Sequence, residues 1–236
     1  MNPTCRRLLW PTVMTIAMLF VLAGLGTWQV QRLMWKEAVL AQIARAEASP
    51  PAPLGNDPSP FAKVEVQGRL RGDLTALYGA EVRETPSGPK MGAHLIEPLE
   101  RDGAPPLLVD RGWVPLKPTN PLDLPDGPVA LTGFVHPPDS RGWFSATDNQ
   151  VERHFYTLDP RAIGAALRLT DVAPYVLVVL GTQPNGTWPQ PAPHLPRPPN
   201  NHLSYVVTWY GLAAALVVIF TIYARKGPTH AKPDSV

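Results

Sequence analysis

The sequence has 236 residues, of which 44% are hydrophobic, and a formal net charge of +2 at pH 7. This small charge, carried by basic residues that form no stripe, gives no support to nucleic-acid binding. The apolar residues are distributed too unevenly for one globular domain to account for the whole chain. The single cysteine, Cys5, excludes a disulfide framework or a paired-cysteine metal site within one chain.

The first predicted element is a transmembrane helix at residues 8–31. No charged residue lies between Arg7 and Arg32, and at ~1.5 Å per residue this block can cross the ~30 Å hydrocarbon core of a bilayer. A secretory signal has a shorter apolar region of about 7–15 residues, whereas this block ends near Trp28, a residue type common at membrane interfaces. We therefore expect an anchor rather than a cleaved signal.

A helical extension and an outer domain follow. Few helix breakers occur from Trp35 to Ala48, and the run Ser49-Pro50-Pro51-Ala52-Pro53 ends the helix. Asp159 and Pro160 suit the N-cap and first turn of a helix that continues through Ala162–Leu169. Six β-prone runs bounded by Gly, Pro or Asp predict an antiparallel or mixed sheet rather than βαβ units. These runs are Lys63–Leu70, Leu74–Val82, Ala93–Pro98, Leu107–Val114, Val129–Val135 and Tyr175–Leu180.

A proline-rich segment and a second span complete the chain. Pro184–Pro199 has no long apolar run, which predicts a stiff, extended tether. No charged residue separates His202 from Arg225, so a second transmembrane helix is expected there. Basic residues precede the first span and follow the second, and the positive-inside rule therefore places both termini in the cytoplasm and the central segment in the periplasm of a bacterium. These basic residues are Arg6, Arg7, Arg225, Lys226 and Lys232.

The sequence therefore predicts a multi-pass protein of the inner membrane, in which two transmembrane α-helices flank an extramembrane α+β domain with a mainly antiparallel sheet. The expected segments are a cytoplasmic N-terminus (1–7), transmembrane helix 1 (8–31), a helical extension and linker (32–53), the periplasmic α+β domain (54–183), a Pro-rich tether (184–201), transmembrane helix 2 (202–224) and a cytoplasmic tail (225–236).

Familiar catalytic motifs are absent from the sequence of the outer domain. It contains no His-Glu-x-x-His, no Gly-x-Ser-x-Gly, no phosphate-binding glycine loop and no dinucleotide fingerprint. No histidine there has a partner at helical ligand spacing, so each is expected to be a hydrogen-bonded structural or surface residue. These histidines are His94, His136, His154 and His194.

Three arginines of the outer domain could bind acidic groups: Arg83, Arg111 and Arg141. Arg111 is the best placed, because it follows a buried-strand pattern in the run Leu107–Pro115 and precedes a turn. We consider two interpretations equally. In the first, Arg111, Gly112 and Trp113 bind a partner. In the second, Asp110 and Arg111 only fix the turn.

Two motifs lie where the predicted spans meet the outer side of the membrane, and the topology places them at the same depth. In each motif three residues share a helix face through i, i+3 or i+4, and i+7 spacing. Aromatic walls, a ligand-capable imidazole and a cation would suit a flat macrocycle with carboxylate tails, with His202 as axial ligand and Arg32 near the carboxylates. The alternative is a pair of ordinary interfacial belts with helix-packing contacts. The six residues are Trp28, Arg32 and Trp35 in the first motif, and His202, Tyr205 and Trp209 in the second.

Four segments, in this order between two spans, resemble the surfeit locus protein 1 family of cytochrome c oxidase assembly factors. They are Gly26-Thr27-Trp28-Gln29-Val30-Gln31-Arg32, Val64-Glu65-Val66-Gln67-Gly68-Arg69-Leu70, Leu108-Val109-Asp110-Arg111-Gly112-Trp113-Val114-Pro115, and the run from Asn200 to Leu212. Two positions depart from the family pattern. Asp110 stands where the family usually has Asn, and the run from Phe144 to Asn149 lacks the family's proline.

The resemblance implies a non-enzymatic assembly factor of the inner membrane that helps build the haem-a-containing subunit I of the oxidase. It implies transient binding of haem a, with the histidine that corresponds to His202 as the iron ligand. The implied partners are oxidase subunit I, the haem a synthase and the lipid bilayer. Two alternatives are a cofactor-free scaffold that stabilises a subunit I intermediate and an enzyme acting on haem. The enzyme is disfavoured, because no general acid or base constellation is present.

Overall fold

The computed structural model describes residues 3–117, 122–123, 125 and 127–226. Most of the expected cytoplasmic tail, including Lys232, lies outside these residues. The chain divides into two compact units: residues 1–41 together with 197–236, and residues 42–196. The first unit contains most of the first helix and all of the last, and the second contains the sheet.

The described residues form three helices: α1 (Pro3–Ala48), α2 (Pro160–Ala166) and α3 (His202–Arg225). The first span and its extension are one continuous helix, α1, whose 46 residues correspond to about 69 Å at ~1.5 Å per residue. It ends where Ser49 donates from both its amide and its hydroxyl to the carbonyl of Arg45, just before two prolines. Both α1 and α3 are long and apolar enough to cross a membrane, and their apolar stretches are almost entirely exposed.

In the described part of the chain, eight strands form one mainly antiparallel sheet in the order β1-β2-β6-β8-β5-β4-β3-β7. The long ladders, β2 with β6, β3 with β4 and β4 with β5, are all antiparallel. The parallel pairs, β1 with β2, β3 with β7 and β5 with β8, join only two or three residues each. The strands are β1 (Ala52–Pro53), β2 (Lys63–Leu70), β3 (Ala76–Thr85), β4 (Gly88–Arg101), β5 (Ala104–Pro115), β6 (Pro128–His136), β7 (His154–Phe155) and β8 (Val176–Val179).

A closing contact turns five of these strands into a ring. β2 pairs with β4 through Arg69 with Glu100 and Leu70 with Leu99, which completes the circuit β2–β6–β8–β5–β4. Because side chains alternate across a strand, every second residue of these strands faces the inside of the ring. One buried hydrophobic cluster draws on all five strands: Val64, Val66, Leu70, Leu99, Leu107, Val109, Val135, Ala173 and Leu177. This cluster is the core of a small barrel.

Helix α2 covers the other side of the sheet. Asp159 is its N-cap, and its side chain accepts a hydrogen bond from the amide of Arg161 at 3.0 Å, as the sequence predicts. Ile163 and Leu167 are fully buried against strand residues that point away from the barrel core. Burying a side chain of this size contributes about 1.5–3 kcal/mol. The residues packed in this second cluster are Ala76, Ile96, Leu108, Phe155, Leu158, Ile163, Leu167 and Val176.

The segment predicted as a tether differs from the prediction. Gln190 forms a backbone bridge with Trp113, and Ala192 forms one with Leu180, so residues up to Pro196 belong to the sheet-containing unit. Trp188 and Leu195 expose only 3% and 1% of their surface. The prolines therefore hold an extended strand-like chain against the sheet instead of a free spacer.

Candidate functional site

His202 is the first residue of α3, and its ring contacts α1. The Nδ1 atom of His202 lies 2.8 Å from Oε1 of Gln29. Gln29 exposes only 9% of its surface, although it lies in the uncharged part of α1. A buried amide is costly without a hydrogen-bond partner, and the imidazole of His202 provides that partner.

A second contact fixes the register of the same two helices. The hydroxyl of Tyr210 in α3 lies 3.1 Å from Oγ1 of Thr27, and its ring covers Gly26 so closely that a Cβ atom there would lie 2.9 Å from Cζ. A larger residue at position 26 would push the tyrosine away. Gly26 and Thr27 thus contact α3 at Tyr210. Gln29 contacts α3 at His202, about two turns closer to the start of that helix.

The contact with Gln29 leaves the second ring nitrogen of His202 available. With Oε1 facing Nδ1, the ring must donate from Nδ1, and in a neutral imidazole Nε2 then carries the lone pair. Two turns along α3, the indole nitrogen of Trp209 is buried and has no hydrogen-bond partner among the described residues. The described residues of the helix pair thus leave two nitrogens without a hydrogen bond, Nε2 of His202 and the buried indole nitrogen of Trp209.

The other residues of the expected haem layer are more exposed. The guanidinium of Arg32 lies 4.8 Å from the ring centroid of Trp35, which is a cation–π contact. Trp28, Trp35 and Tyr205 each expose about half of their surface, at 50%, 55% and 52%. His202 and Trp209 are partly buried, whereas Trp28 and Trp35 lie on a different face of α1 from the buried Gly26 and Gln29. That these six residues contact haem stays a prediction.

The motif around Arg111 is buried in the outer domain. Nη1 of Arg111 donates to Oε2 of Glu97 at 2.8 Å, and Nη2 donates to the carbonyl of Asp123 at 3.0 Å. Glu97 and Trp113 are fully buried, and Arg111 exposes 7%. Gly112 has φ +117°, and a Cβ atom there would lie 1.9 Å from the carbonyl oxygen of Gln190. Of the two interpretations of this motif, the burial favours the structural one, and binding of a partner by Arg111, Gly112 and Trp113 stays a prediction.

Asp110 joins a polar cluster centred on His94. Its carboxylate accepts hydrogen bonds from the amide of Gly112 at 2.9 Å and from Nδ1 of His94 at 2.8 Å. On the other side of the ring, Nε2 of His94 lies 3.7 Å from Glu81, which pairs with Arg83 at 2.8 Å. Burial by itself lowers the pKa of His94, but the hydrogen bond and charge of Asp110, together with Glu81, outweigh burial and the repulsion from Arg83, so the pKa is raised.

Comparison with known proteins decides the family. Residues 16–214 match the model of the SURF1 family. The chain belongs to the SURF1 family. A SURF1-like protein of Rickettsia bellii is 33% identical over 225 residues, covering 91% of both chains. Surfeit locus protein 1 of Homo sapiens is 32% identical over 215 residues, covering 81% of this chain and 70% of the human protein. A SURF1-like protein of Monosiga brevicollis is 28% identical and covers 86% of this chain. The expected resemblance is confirmed.

In this member of the SURF1 family, the four histidines of the outer domain are hydrogen-bonded, as the sequence predicts. His94 bonds Asp110, and the rings of His136, His154 and His194 each lie 2.7 Å from a backbone carbonyl, namely those of Pro137, Gly79 and Leu195. The described residues contain no group of three or more His, Cys, Asp or Glu that could hold a metal ion.

The raised pKa of His94 predicts a pH-dependent stability of the outer domain. Because the folded state holds the proton more tightly than the unfolded chain, the extra stability is fully present below the ordinary histidine pKa of 6.5 and is lost as the pH rises through the raised pKa of folded His94. We expect the wild type to gain stability over His94→Gln as the pH falls. Unfolding of the detergent-solubilised full chain across about pH 5–9 measures this difference.

A suitable control for this titration is His136→Gln, which removes a ring that bonds the backbone carbonyl of Pro137. No carboxylate bonds to that ring in the part of the chain that the structure describes, so this variant removes an imidazole without removing an ion pair. Equal pH dependence of wild type and His94→Gln would show that the Asp110 and Glu81 contacts do not bind the proton as inferred.

Gln29 is the site residue that sequence reasoning missed. A signal was present, because Gln29 is a polar residue inside an uncharged span and lies three residues after Gly26 on the same helix face. Helical spacing instead predicts a site at Trp28, Arg32 and Trp35, because aromatic and charged residues at a membrane interface are the more familiar signals of a binding site. The helix face that contacts α3 passes through Leu22, Gly26 and Gln29.

Proposed function

We propose that this protein is an assembly factor for a haem-a-containing cytochrome c oxidase, which binds haem a transiently and aids its insertion into subunit I. Membership of the SURF1 family supports the general role. The observation that carries the haem function is the contact between His202 and Gln29, which holds an imidazole at the helix pair while its Nε2 atom bonds to none of the described residues. Neutral imidazole nitrogen is a common axial ligand of haem iron.

The residues at the helix pair fit a haem that is carried as cargo. Haem a would bring an iron that accepts one axial nitrogen, a large apolar ring and carboxylates. Nε2 of His202 would supply the nitrogen, the half-exposed rings of Trp28, Trp35 and Tyr205 would supply apolar contact area, and Arg32 a positive charge. The buried, unpaired indole N–H of Trp209 is a donor for a polar group of the cargo.

The exposure of these candidate residues suits a protein that delivers haem rather than one that stores it. A ligand that is enclosed on all sides leaves slowly, because the surrounding structure must open first. Here Trp28, Trp35 and Tyr205 expose about half of their surface, and His202 itself is only partly buried. In the proposed function the two helices cross the inner membrane, the sheet-containing domain lies in the periplasm, and oxidase subunit I and the haem a synthase are partners. No enzymatic reaction is proposed.

The absorption spectrum of the detergent-purified full chain, from cells that make haem a, tests this proposal. We expect a haem spectrum, and the extracted haem should be of the a type. Purification of Arg32→Leu in parallel should yield less haem with unchanged membrane insertion, because the charge opposite the haem carboxylates is lost. A colourless wild type that copurifies with oxidase subunits would overturn haem binding and favour the cofactor-free scaffold.

A further inference from the structure

Gln29 is a buried polar side chain in the contact between α1 and α3. Among the described residues of the helix pair, it is the one polar side chain that the neighbouring helix buries. An amide at such a position requires a partner, and helix α3 supplies one in the ring of His202 at 2.8 Å. The contact joins residues that are far apart in the sequence, so it depends on the helix register that Gly26, Thr27 and Tyr210 set.

The chemistry of this contact affects the unused nitrogen. When Nδ1 of an imidazole donates to an acceptor, the ring is held in one tautomer and one orientation, and Nε2 becomes more basic. The strength of the hydrogen-bond acceptor decides how much the basicity of Nε2 increases. A carboxylate has the largest effect, a neutral amide oxygen a smaller one, and an apolar neighbour none. The neutral amide oxygen of Gln29 is thus an acceptor of intermediate strength, between a carboxylate and an apolar neighbour.

We propose that Gln29 is a positioning residue that presents Nε2 of His202 to the haem iron, and that its neutral amide keeps the ligand weak enough for the haem to be released. This inference rests on the proposed function. In addition to that function, Gln29 would set the rate at which the haem leaves although it does not contact the haem. Orienting partners of metal ligands typically alter affinity by about 10–100-fold, which is the range expected here.

The test measures haem release from the full chain in detergent to an excess of a haem-free globin. Gln29→Leu keeps the volume of the side chain but removes the acceptor, and it should release haem about 10–100-fold faster than wild type. Gln29→Glu provides a charged acceptor and should release it more slowly. Gln31→Leu is the matched control, because Gln31 is an exposed glutamine two positions away, and its release rate should equal that of wild type.

A second readout needs no haem. In the haem-free protein, ¹⁵N chemical shifts of the His202 ring should report a proton on Nδ1 in wild type and in Gln31→Leu, and a mixture of tautomers in Gln29→Leu. Equal release rates and equal ring shifts in wild type and Gln29→Leu would overturn the inference while haem binding by the wild type still stands. A wild type that takes up no haem would overturn the proposed function itself, so the two failures are distinguished.

Discussion

The variant His202→Ala is expected to lose haem a almost completely. In the proposed function His202 supplies a nitrogen to the iron, so its removal would delete that bond, and the effect should exceed the ~100-fold that loss of an orienting partner can cause. Because His202 lies at the first residue of α3 and is only partly buried, alanine there should leave the helix intact. Haem content per protein, measured by the spectrum of the extracted haem, checks this expectation.

A matched control for this variant is His136→Ala in the outer domain. It removes an imidazole from the same chain but leaves the helix pair unchanged, so its haem content should equal that of wild type. Circular dichroism of both variants shows whether the helices are retained. Full haem loading of His202→Ala would exclude this residue as the ligand.

The variant Arg111→Leu is expected to destabilise the outer domain by about 3–5 kcal/mol, because it leaves the buried carboxylate of Glu97 without its cation. Oε1 of Glu97 already has no hydrogen-bond partner among the described residues, so the described part of the chain offers it little compensation. The double variant Arg111→Leu with Glu97→Leu removes both charges and should recover most of the loss. Urea unfolding of the three proteins measures the differences.

An exposed ion pair in the same sheet provides the comparison. Arg71 pairs with Asp73 and Glu100, but its side chain is 36% exposed. Solvent screens such charges, so Arg71→Leu should change stability far less than Arg111→Leu does. If the two single variants were equally stable, the Arg111–Glu97 pair would contribute no more than a surface contact, and the structural interpretation of this motif would be wrong.

Much of the fold could be predicted because it depends on local patterns. The limits of β2 agree with the run Lys63–Leu70, and the N-cap of α2 is Asp159, since alternation and capping are properties of a few neighbouring residues. The strands β1 and β7 were missed, because each contains two residues and exists only through pairing with a distant strand. The same holds for Gln190, whose proline-rich surroundings predict a tether while its backbone pairs with Trp113.

The candidate site could be predicted only in part, for a similar reason. Helical spacing brings Arg32 next to Trp35, because both residues belong to one helix. The partner of His202 could not be found in this way, since the distance from α3 to Gln29 depends on how two helices pack. Gly26 and Tyr210 fix that packing, and no local sequence pattern predicts that these two residues contact each other.

The position of β8 has a consequence for biogenesis. β8 is the last strand to be synthesised, yet it lies in the middle of the sheet between β5 and β6. Until Val176–Val179 has been made, β5 and β6 both keep an open edge, and the barrel cannot close. Open edges are templates for aggregation, so the nascent chain passes through a vulnerable interval that ends only shortly before its last helix is synthesised. Ribosomal pausing or a premature stop codon ahead of residue 176 would leave the domain with two unprotected edges.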